Sequence, residues 1–275
     1  MTINCKGTLV DFSSPKVMGI LNITPDSFFD GGKYQHTKAI LTQTEKMLKE
    51  GATFIDVGAY SSRPGADHVS EEEELRRILP AVALLLREFP DIYLSIDTFR
   101  SRVAKKTIEA GAAVINDISG GNVDALMFKT IAQLQVPYIL MHMQGTPQTM
   151  QNHPRYEHIT TDLIQFFSEK MDELRRLQIN DVIIDVGFGF GKTILHNFQL
   201  LKELHHFQTF NLPLLAGVSR KSMLYKTLNI HPNDALNATT SANTIALLQG
   251  ANILRVHDVK EAVECIKIVE QLANA

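Results

Sequence analysis

Short apolar runs recur along the chain and alternate with longer segments in which apolar residues repeat at helical spacing. The runs predict strands at about 17–22, 53–57, 93–97, 113–117, 137–141, 182–185, 213–217 and 252–256. Several are apolar throughout, such as Val-Ile-Ile at 182–184, which is typical of parallel strands covered on both faces. The pattern therefore predicts eight buried, parallel strands.

The segments between the strands predict helices at 37–51, from 70 onward, and at 101–110, 122–134, 160–177, 193–208, 234–250 and 259–273. Ser70 precedes a run of glutamates, which provides an N-cap and an acidic first turn. Alternation of strands and helices with right-handed crossovers favours an α/β fold. Two architectures fit this alternation: a (β/α)8 barrel and an open doubly wound sheet.

Polar and glycine-rich clusters follow all eight predicted strands and distinguish the two architectures. They lie at 19–28, 56–66, 95–98, 115–121, 140–147, 185–192, 217–222 and 255–258. An open sheet gathers its binding groups at a switch point, whereas a barrel gathers them at one mouth from every strand. We therefore expect a (β/α)8 TIM barrel in one domain spanning 1–275, with a short N-terminal β-hairpin at 3–10 closing its bottom.

Composition narrows the choice of partners and compartment. A net charge of −3 over 275 residues gives no basic field to attract nucleic acid, and no apolar run approaches the ~20 residues that span a bilayer. The first residues lack the charged and apolar regions of a signal peptide. Cys5 and Cys265 have no CxxC spacing, so two lone thiols are favoured over a disulfide. We expect a soluble, cytoplasmic protein with neither nucleic-acid nor membrane partners.

Hydrogen-bond acceptors end three of the apolar strands: Asp97, Asn116 and Asp185. An unpaired carboxylate in a barrel mouth is costly, so each acceptor needs a partner. One interpretation is structural, with pairing to Arg220 or Arg255 or capping of a neighbouring helix. The other is a ligand with several N–H donors and a carbonyl, with Lys221 opposite the acceptors. A fused aminopyrimidinone ring, as in guanine or a pterin, offers that pattern.

A second group of side chains favours an anion: Ser61, Ser62 and Arg63 in the second loop, Ser219 and Lys221 after the seventh strand, and Arg255 and His257 on the last strand. The loops after strands seven and eight commonly hold phosphate in this fold, and a helix N-terminus attracts anions. Two arginines, a lysine and a histidine around one mouth favour a diphosphate over a carboxylate. Ordinary surface ion pairing is the alternative.

Asn22 ends the first strand, and Asp30 follows it in the same loop. One amide oxygen and one carboxylate are too few for a protein-only metal site, but they suit Mg²⁺ that keeps waters and binds substrate phosphates. The glycines around Phe190 lack P-loop spacing, so we interpret Phe190 as a wall for a ring and the glycines as allowing close approach of a ligand. Met141 is expected at the pocket floor.

Taken in order from 18–28 to 255–258, these clusters resemble the dihydropteroate synthases over almost the whole chain. The resemblance implies a (β/α)8 barrel that joins 6-hydroxymethyl-7,8-dihydropterin diphosphate to 4-aminobenzoate. Such an enzyme releases diphosphate, makes 7,8-dihydropteroate for folate synthesis, and is the target of sulfonamides. The resemblance also implies Mg²⁺ as the cofactor and a homodimer as the assembly.

The resemblance assigns roles by motif. Asn22 is expected to hold Mg²⁺. The residues expected to bind the pterin are Asp97, Asn116, Asp185 and Lys221 at its edge, and Met141, Phe190 and Arg255 around its faces. The diphosphate is expected to contact Ser62, Arg63, Arg255 and His257. The residues expected to frame 4-aminobenzoate are Phe28, Pro64, Phe190 and Ser222. Catalytic roles are implied for Asp97, Arg63, Lys221, Arg255 and His257.

Two loops, at 23–36 and 58–70, are long and rich in small and polar residues, so we expect mobile lids there. The second departs from the usual family pattern, because Tyr60 replaces a glutamate and Ser62 replaces a threonine. Val186 stands where the family commonly has proline. Two rival functions remain: a pterin-dependent methyltransferase barrel and a non-catalytic pterin-binding paralogue.

Overall fold

The computed structural model describes residues 1–23, 32–60, 69–146, 150 and 154–275, without the side chains of 32–36. Two short strands, β1 (Thr2–Cys5) and β2 (Thr8–Asp11), pair antiparallel. Eight further strands follow: β3 (Lys16–Asn22), β4 (Phe54–Gly58), β5 (Tyr93–Asp97), β6 (Val114–Asp117), β7 (Tyr138–Met141), β8 (Val182–Asp185), β9 (Leu214–Ala216) and β10 (Ile253–Val256). They form a closed parallel barrel in chain order, with β10 pairing with β3. The (β/α)8 barrel is confirmed, and the open sheet is excluded.

Helices connect successive barrel strands within the described part of the chain. They are α1 (Gly32–Lys49), α2 (Glu71–Glu88), α3 (Ser101–Glu109), α4 (Met127–Leu134), α5 (Ile159–Arg176), α6 (Ile194–Lys202), α7 (Ser222–Leu228), α8 (Leu236–Leu248) and α9 (Val259–Ala273). The predicted cap is present, since Ser70 Oγ accepts the N–H of Glu73 at 3.2 Å. None of these described helices is long and apolar enough to cross a membrane.

Three helix boundaries differ from the sequence prediction by five residues or more, and α7 lies outside the predicted helix ranges. The first is the start of α1, which begins at Gly32 and not at 37. The helix predicted from 122 begins at Met127, because Asp124 instead accepts the backbone N–H groups of Ser101 and Leu126 in a turn. The helix predicted to run to 208 ends at Lys202, and a 3-10 segment, Leu204–Phe210, follows it. That segment places Phe207 edge-on to Phe167 of α5, with ring centroids 5.9 Å apart.

The hairpin of β1 and β2 closes the bottom of the barrel, as the sequence predicts. Ile3, Cys5, Val10 and Phe12 form one buried cluster with inward side chains near the strand beginnings, namely Met18, Phe54, Val114, Ile139, Ile183, Leu215 and Ile253. Burial raises the pKa of the Cys5 thiol to about 12. Cys265 is also a free, buried thiol, which confirms the prediction of two lone cysteines.

Candidate active site

Side chains from five barrel strands and their following loops meet in a pocket at the C-terminal mouth. The pocket encloses about 290 Å³, counting the part open to solvent. Six of the residues predicted for the pterin line it together: Asn116, Met141, Asp185, Phe190, Lys221 and Arg255. The parallel strands all end at this mouth, which is why residues far apart in sequence converge here.

A buried carboxylate that the sequence interpretation missed lies behind this pocket. Asp56, in the middle of β4, has no exposed surface. It accepts hydrogen bonds from Ser95 Oγ at 2.6 Å, from Asn116 Nδ2 at 2.9 Å and from Arg255 Nε at 2.7 Å. Its signal in the sequence is an acid between two apolar residues, Ile55 and Val57, within a strand otherwise buried on both faces.

Arg255 lies between two carboxylates. Its Nη2 is 2.6 Å from Asp56 Oδ2 and 2.8 Å from Asp97 Oδ2. Burial acts to lower the pKa of Arg255, but the two carboxylates outweigh it and raise that pKa above the usual range. Burial also raises the pKa of Asp97 to about 7, against the opposing effect of Arg255. The structural interpretation of Asp97, pairing with Arg255, therefore holds alongside its place at the barrel mouth.

Asn116 and Asp185 retain acceptor capacity toward the pocket. Asn116 Oδ1 is buried and has no hydrogen-bond partner among the residues that the structure describes. Asp185 Oδ1 accepts the N–H of Gly187 at 2.8 Å, and burial raises the pKa of this carboxyl. A buried acceptor without a donor is costly, so Asn116 favours a ligand with N–H groups, and the Asp185 carboxyl lines the same pocket as a further acceptor.

Lys221 and Phe190 face each other across the same pocket. Lys221 Nζ lies 4.2 Å from the centroid of the Phe190 ring, within the range of a cation–π contact. Burial, followed by the charge of Arg255, lowers the pKa of Lys221 to about 8. The ammonium is therefore a hydrogen-bond donor in a largely desolvated place, next to an aromatic wall.

The residues predicted to bind diphosphate are only partly brought together. Ser219 Oγ lies 3.0 Å from His257 Nδ1, and burial together with Arg255 lowers the pKa of His257 to about 4. His257 is thus neutral at neutral pH without an anion beside it. Arg220 instead forms a bidentate ion pair with Asp258, which ties the loop after β9 to the end of β10.

The loop after β8 is held by a buried lysine. Lys192 Nζ donates to the carbonyl oxygens of Gly187 at 2.9 Å, Phe190 at 3.0 Å and His142 at 3.2 Å. Burial lowers the pKa of Lys192 to about 7. A Cβ on Gly187 would lie 2.0 Å from His142 O, and one on Gly191 would lie 2.6 Å from a backbone oxygen of the loop after β7. These two glycines allow close backbone packing, and Gly187 also lines the pocket, so the expectation that the glycines admit close approach of a ligand stays a prediction.

Asn22 and Asp97 border the same space above Gly58 of β4. A Cβ built on Gly58 would lie 3.6 Å from Asn22 Oδ1 and 3.8 Å from Asp97 Oδ2. No cluster of three or more metal-ligating His, Cys, Asp or Glu side chains occurs within the described ranges. The oxygen donors suit Mg²⁺, and their small number fits an ion that takes its remaining ligands from phosphate and water.

Tyr60, at the position where the resemblance implies a glutamate, is buried in an aromatic cluster. Its ring meets Phe99 edge-on at 5.1 Å, and the guanidinium of Arg100 lies 5.4 Å from its centroid. Arg100 also pairs with the buried Glu74 of α2 and donates to the backbone oxygen of Val69. Aromatic packing and an ion pair therefore fix the described residues on both sides of the second loop.

Several predicted residues are not positioned by the structure. Phe28, Ser62, Arg63, Pro64 and Asp30 lie outside the described residues, as do 24–31 and 61–68 of the two proposed lids. Ser222 is described, and it begins α7 half-buried, one residue after Lys221. The predicted roles of these residues stay predictions.

Comparison with known proteins gives the same family throughout. The model of the pterin binding enzyme family matches residues 18–257. A dihydropteroate synthase of Escherichia coli K12 is 42% identical, with 100% of this chain and 98% of that protein covered. The Yersinia pestis dihydropteroate synthase in a sulfonamide drug complex has a TM-score of 0.93 at 44% identity, with both chains fully covered. The Xanthomonas albilineans dihydropteroate synthase with 4-aminobenzoic acid has a TM-score of 0.92 at 34% identity, covering 100% of this chain and 98% of that one. Because these similarities extend over the full length, the chain belongs to the pterin binding enzyme family, among the dihydropteroate synthases.

Proposed function

We propose that the pocket at the barrel mouth performs the dihydropteroate synthase reaction. It condenses 6-hydroxymethyl-7,8-dihydropterin diphosphate with 4-aminobenzoate to give 7,8-dihydropteroate and diphosphate in folate synthesis. The observation that carries the proposal is the buried Asn116 Oδ1, which has no hydrogen-bond partner within the described part of the chain, in one pocket with Asp185 and Lys221. An aminopyrimidinone ring offers the N–H donors and the carbonyl that these three side chains require.

The pterin is recognised at its edge and held at its faces. Asn116 Oδ1 and Asp185 accept its N–H groups, and Lys221 donates to its carbonyl oxygen. Met141 and Phe190 cover the ring, since both line the pocket and are almost fully buried. Recognition therefore depends on hydrogen bonds formed away from water, where a mismatched partner is costly.

The reaction is a dissociative substitution at the pterin methylene carbon. The C–O bond to diphosphate breaks first, its electron pair leaves with the diphosphate, and the resulting cation is delocalised into the pterin ring. Asp97, when ionised, stabilises that cation electrostatically. The amine of 4-aminobenzoate then forms the new C–N bond and loses a proton, so no protein nucleophile is required.

Basic side chains receive the leaving diphosphate. We assign this role to Arg63, Arg255 and His257, with the hydroxyl of Ser62. An anion beside the neutral imidazole of His257 favours its charged form, so binding of the diphosphate is expected to be accompanied by uptake of a proton from solution at His257. Asn22 would hold Mg²⁺, which supplies neutralising charge for the diphosphate when bound.

The 4-aminobenzoate subsite is assigned to Phe28, Pro64, Phe190 and Ser222. The Xanthomonas structure contains 4-aminobenzoic acid, and the Yersinia structure contains a sulfonamide drug. We propose that this chain binds both kinds of molecule at that subsite. A sulfonamide is then expected to compete with 4-aminobenzoate and not with the pterin.

The chain is proposed to act as a cytoplasmic homodimer. Apolar side chains are exposed on the neighbouring helices α6, α7 and α8: Leu195, Phe198, Leu228, Ile245 and Leu248. Exposed apolar side chains on neighbouring helices favour an interface, and a two-fold dimer is the commonest assembly. Sedimentation of the wild type and of Leu195→Asp tests this, since the charge should shift the population toward monomer.

The experiment that tests the function is a steady-state assay of diphosphate release. Diphosphate and 7,8-dihydropteroate should form in equal amounts when the pterin diphosphate, 4-aminobenzoate and Mg²⁺ are all present. Pterin binding without turnover would indicate a non-catalytic paralogue. Methyl transfer from a methylated pterin to a corrinoid protein, without dihydropteroate, would indicate the methyltransferase function instead.

A further inference from the structure

One buried carboxylate joins four barrel strands behind the pocket. The Asp56 carboxylate of β4 accepts three hydrogen bonds from side chains of other strands. The donors are Ser95 Oγ of β5 at 2.6 Å, Asn116 Nδ2 of β6 at 2.9 Å and Arg255 Nε of β10 at 2.7 Å. Asn116 and Arg255 line the pocket, whereas Asp56 does not. Asp56 therefore acts on the ligand site only through the side chains it holds.

The carboxylate determines which way the Asn116 amide faces. An ionised carboxylate only accepts hydrogen bonds, so it attracts the amide NH2 group and repels the amide oxygen. Asn116 Oδ1 is consequently turned away from Asp56, and within the described residues it is left without a donor. Asn116 is only 2% exposed, so water gives little compensation.

The Asn116 amide depends on Asp56 more than Arg255 does. Arg255 Nη2 is also 2.8 Å from Asp97, so one carboxylate would still hold the guanidinium if Asp56 were neutral. The Asn116 side chain has Asp56 as its single hydrogen-bond partner in the part of the chain that the structure describes. Loss of the Asp56 charge therefore frees the amide to rotate while Arg255 stays anchored.

We propose that Asp56 is a positioning residue that sets the hydrogen-bond polarity of the pterin pocket. By fixing the amide NH2 of Asn116, it makes Asn116 Oδ1 an obligatory acceptor. The pocket then selects a ring that presents an N–H donor over one that presents a carbonyl. The inference rests on the proposed function and extends it, because it traces ring selectivity to a side chain outside the pocket.

The test compares two ring probes in the wild type and in Asp56→Asn. The probes are 6-hydroxymethylpterin and 6-hydroxymethyllumazine, in which a carbonyl replaces the exocyclic amine, and the readout is Kd by titration calorimetry. The wild type should prefer the pterin. In Asp56→Asn the pterin affinity should fall about 10- to 100-fold, and the preference should shrink by about tenfold or more, because Asn116 can now present its NH2 group.

Asp117→Asn is the matched control. Asp117 follows Asn116 on β6 and is as fully buried as Asp56. It accepts hydrogen bonds from Tyr138 OH at 2.6 Å and from the N–H of Ser119 at 2.7 Å, and it does not line the pocket. This variant should lose thermal stability and keep the wild-type preference between the two probes. An equal loss of preference in both variants would show a general effect of unfolding and overturn the proposal.

A measurement on the wild type keeps the proposal testable if Asp56→Asn does not fold. In NMR spectra of the free protein, with the Asn116 side-chain signals assigned by their absence from Asn116→Ala, the NH2 protons should be protected from exchange with water. Rapid exchange, or an unchanged probe preference in folded Asp56→Asn, would refute the role of Asp56. Failure of the wild type to bind 6-hydroxymethylpterin would instead count against the proposed function, so the two failures are distinguishable.

Discussion

Burial and the charge of Arg255 both disfavour the protonated form of Lys221, and they lower its pKa to about 8. If the protonated form donates to the pterin carbonyl, kcat/KM for the pterin substrate should decline as pH rises above about 8. A pH profile of initial rates measures this limb. Lys221→Arg should remove the limb whatever its absolute rate, because arginine stays charged throughout the range. An unchanged alkaline limb in Lys221→Arg would assign it to another group.

Asp185→Asn should weaken pterin binding more than 4-aminobenzoate recognition. The amide oxygen of the variant is expected to take the place of Oδ1, which accepts the N–H of Gly187 at 2.8 Å. That leaves an NH2 group facing the N–H donors of the ring, a mismatch of about 1–3 kcal/mol or more. Calorimetric Kd for the pterin and KM for 4-aminobenzoate measure the two effects. Unchanged pterin affinity in a folded variant would return Asp185 to the structural interpretation.

At the scale of elements, the loop after β8 depends on Lys192, which donates to three backbone oxygens inside the protein. Lys192→Met should leave these oxygens unpaired, loosen the wall formed by Phe190, and weaken pterin binding by about 1–3 kcal/mol. Lys202→Met on the exposed side of α6 is the control, and it should change neither the packing of Phe190 nor the affinity for the pterin. Titration calorimetry with the pterin compares Kd in the two variants, and an equal Kd in both would contradict this role of Lys192.

Lys192 also makes stability depend on pH. Its pKa is lowered to about 7 in the folded protein, so between about 7 and the ordinary lysine value the unfolded chain binds more protons. The free energy of unfolding should therefore rise with pH across that window, because the folded protein holds Lys192 in its neutral form there while the unfolded chain still binds the proton. Urea unfolding at several pH values should show a smaller upward slope in Lys192→Met than in the wild type. Equal slopes would mean that Lys192 stays charged in the fold.

The sequence predicts the strands better than it predicts the roles of individual side chains. All eight barrel strands lie within about one residue of the predicted positions, because each is a short apolar run bounded by polar clusters. The start of α4 was predicted too early, since the alternative turn depends on Asp124 reaching across to Ser101. Contacts between distant strands have no local signal in a single sequence.

Asp56 illustrates what the sequence leaves open at the site. An acid inside an apolar strand signals buried hydrogen-bond donors nearby, but it does not say which side chains of other strands supply them. Only the register of β4, β5 and β6 places Ser95 and Asn116 against it. The direction of the Asn116 amide, and hence the polarity of the pocket, follows from that contact and not from residue identity.

For the whole molecule, the two ends of the barrel have different roles: the bottom contributes to stability, and the mouth holds the pocket. The hairpin seals the bottom, and Phe12 is 3% exposed in the cluster that fills it. Phe12→Ala should lower the free energy of unfolding by about 3–5 kcal/mol. Pterin Kd measured well below the new Tm should stay unchanged, because Phe12 lies at the opposite end from the pocket. A matching loss of affinity would show that the two ends are coupled.

The central claim is that the mouth pocket itself activates the pterin by dissociation of its diphosphate. The most direct measurement is a single-turnover experiment with enzyme in excess over 6-hydroxymethyl-7,8-dihydropterin diphosphate and Mg²⁺, without 4-aminobenzoate. Rapid quenching should show diphosphate formed in the absence of the second substrate, and mass spectrometry should find the protein unmodified. Diphosphate that forms only after 4-aminobenzoate is added, or a pterin covalently attached to the chain, would contradict the account.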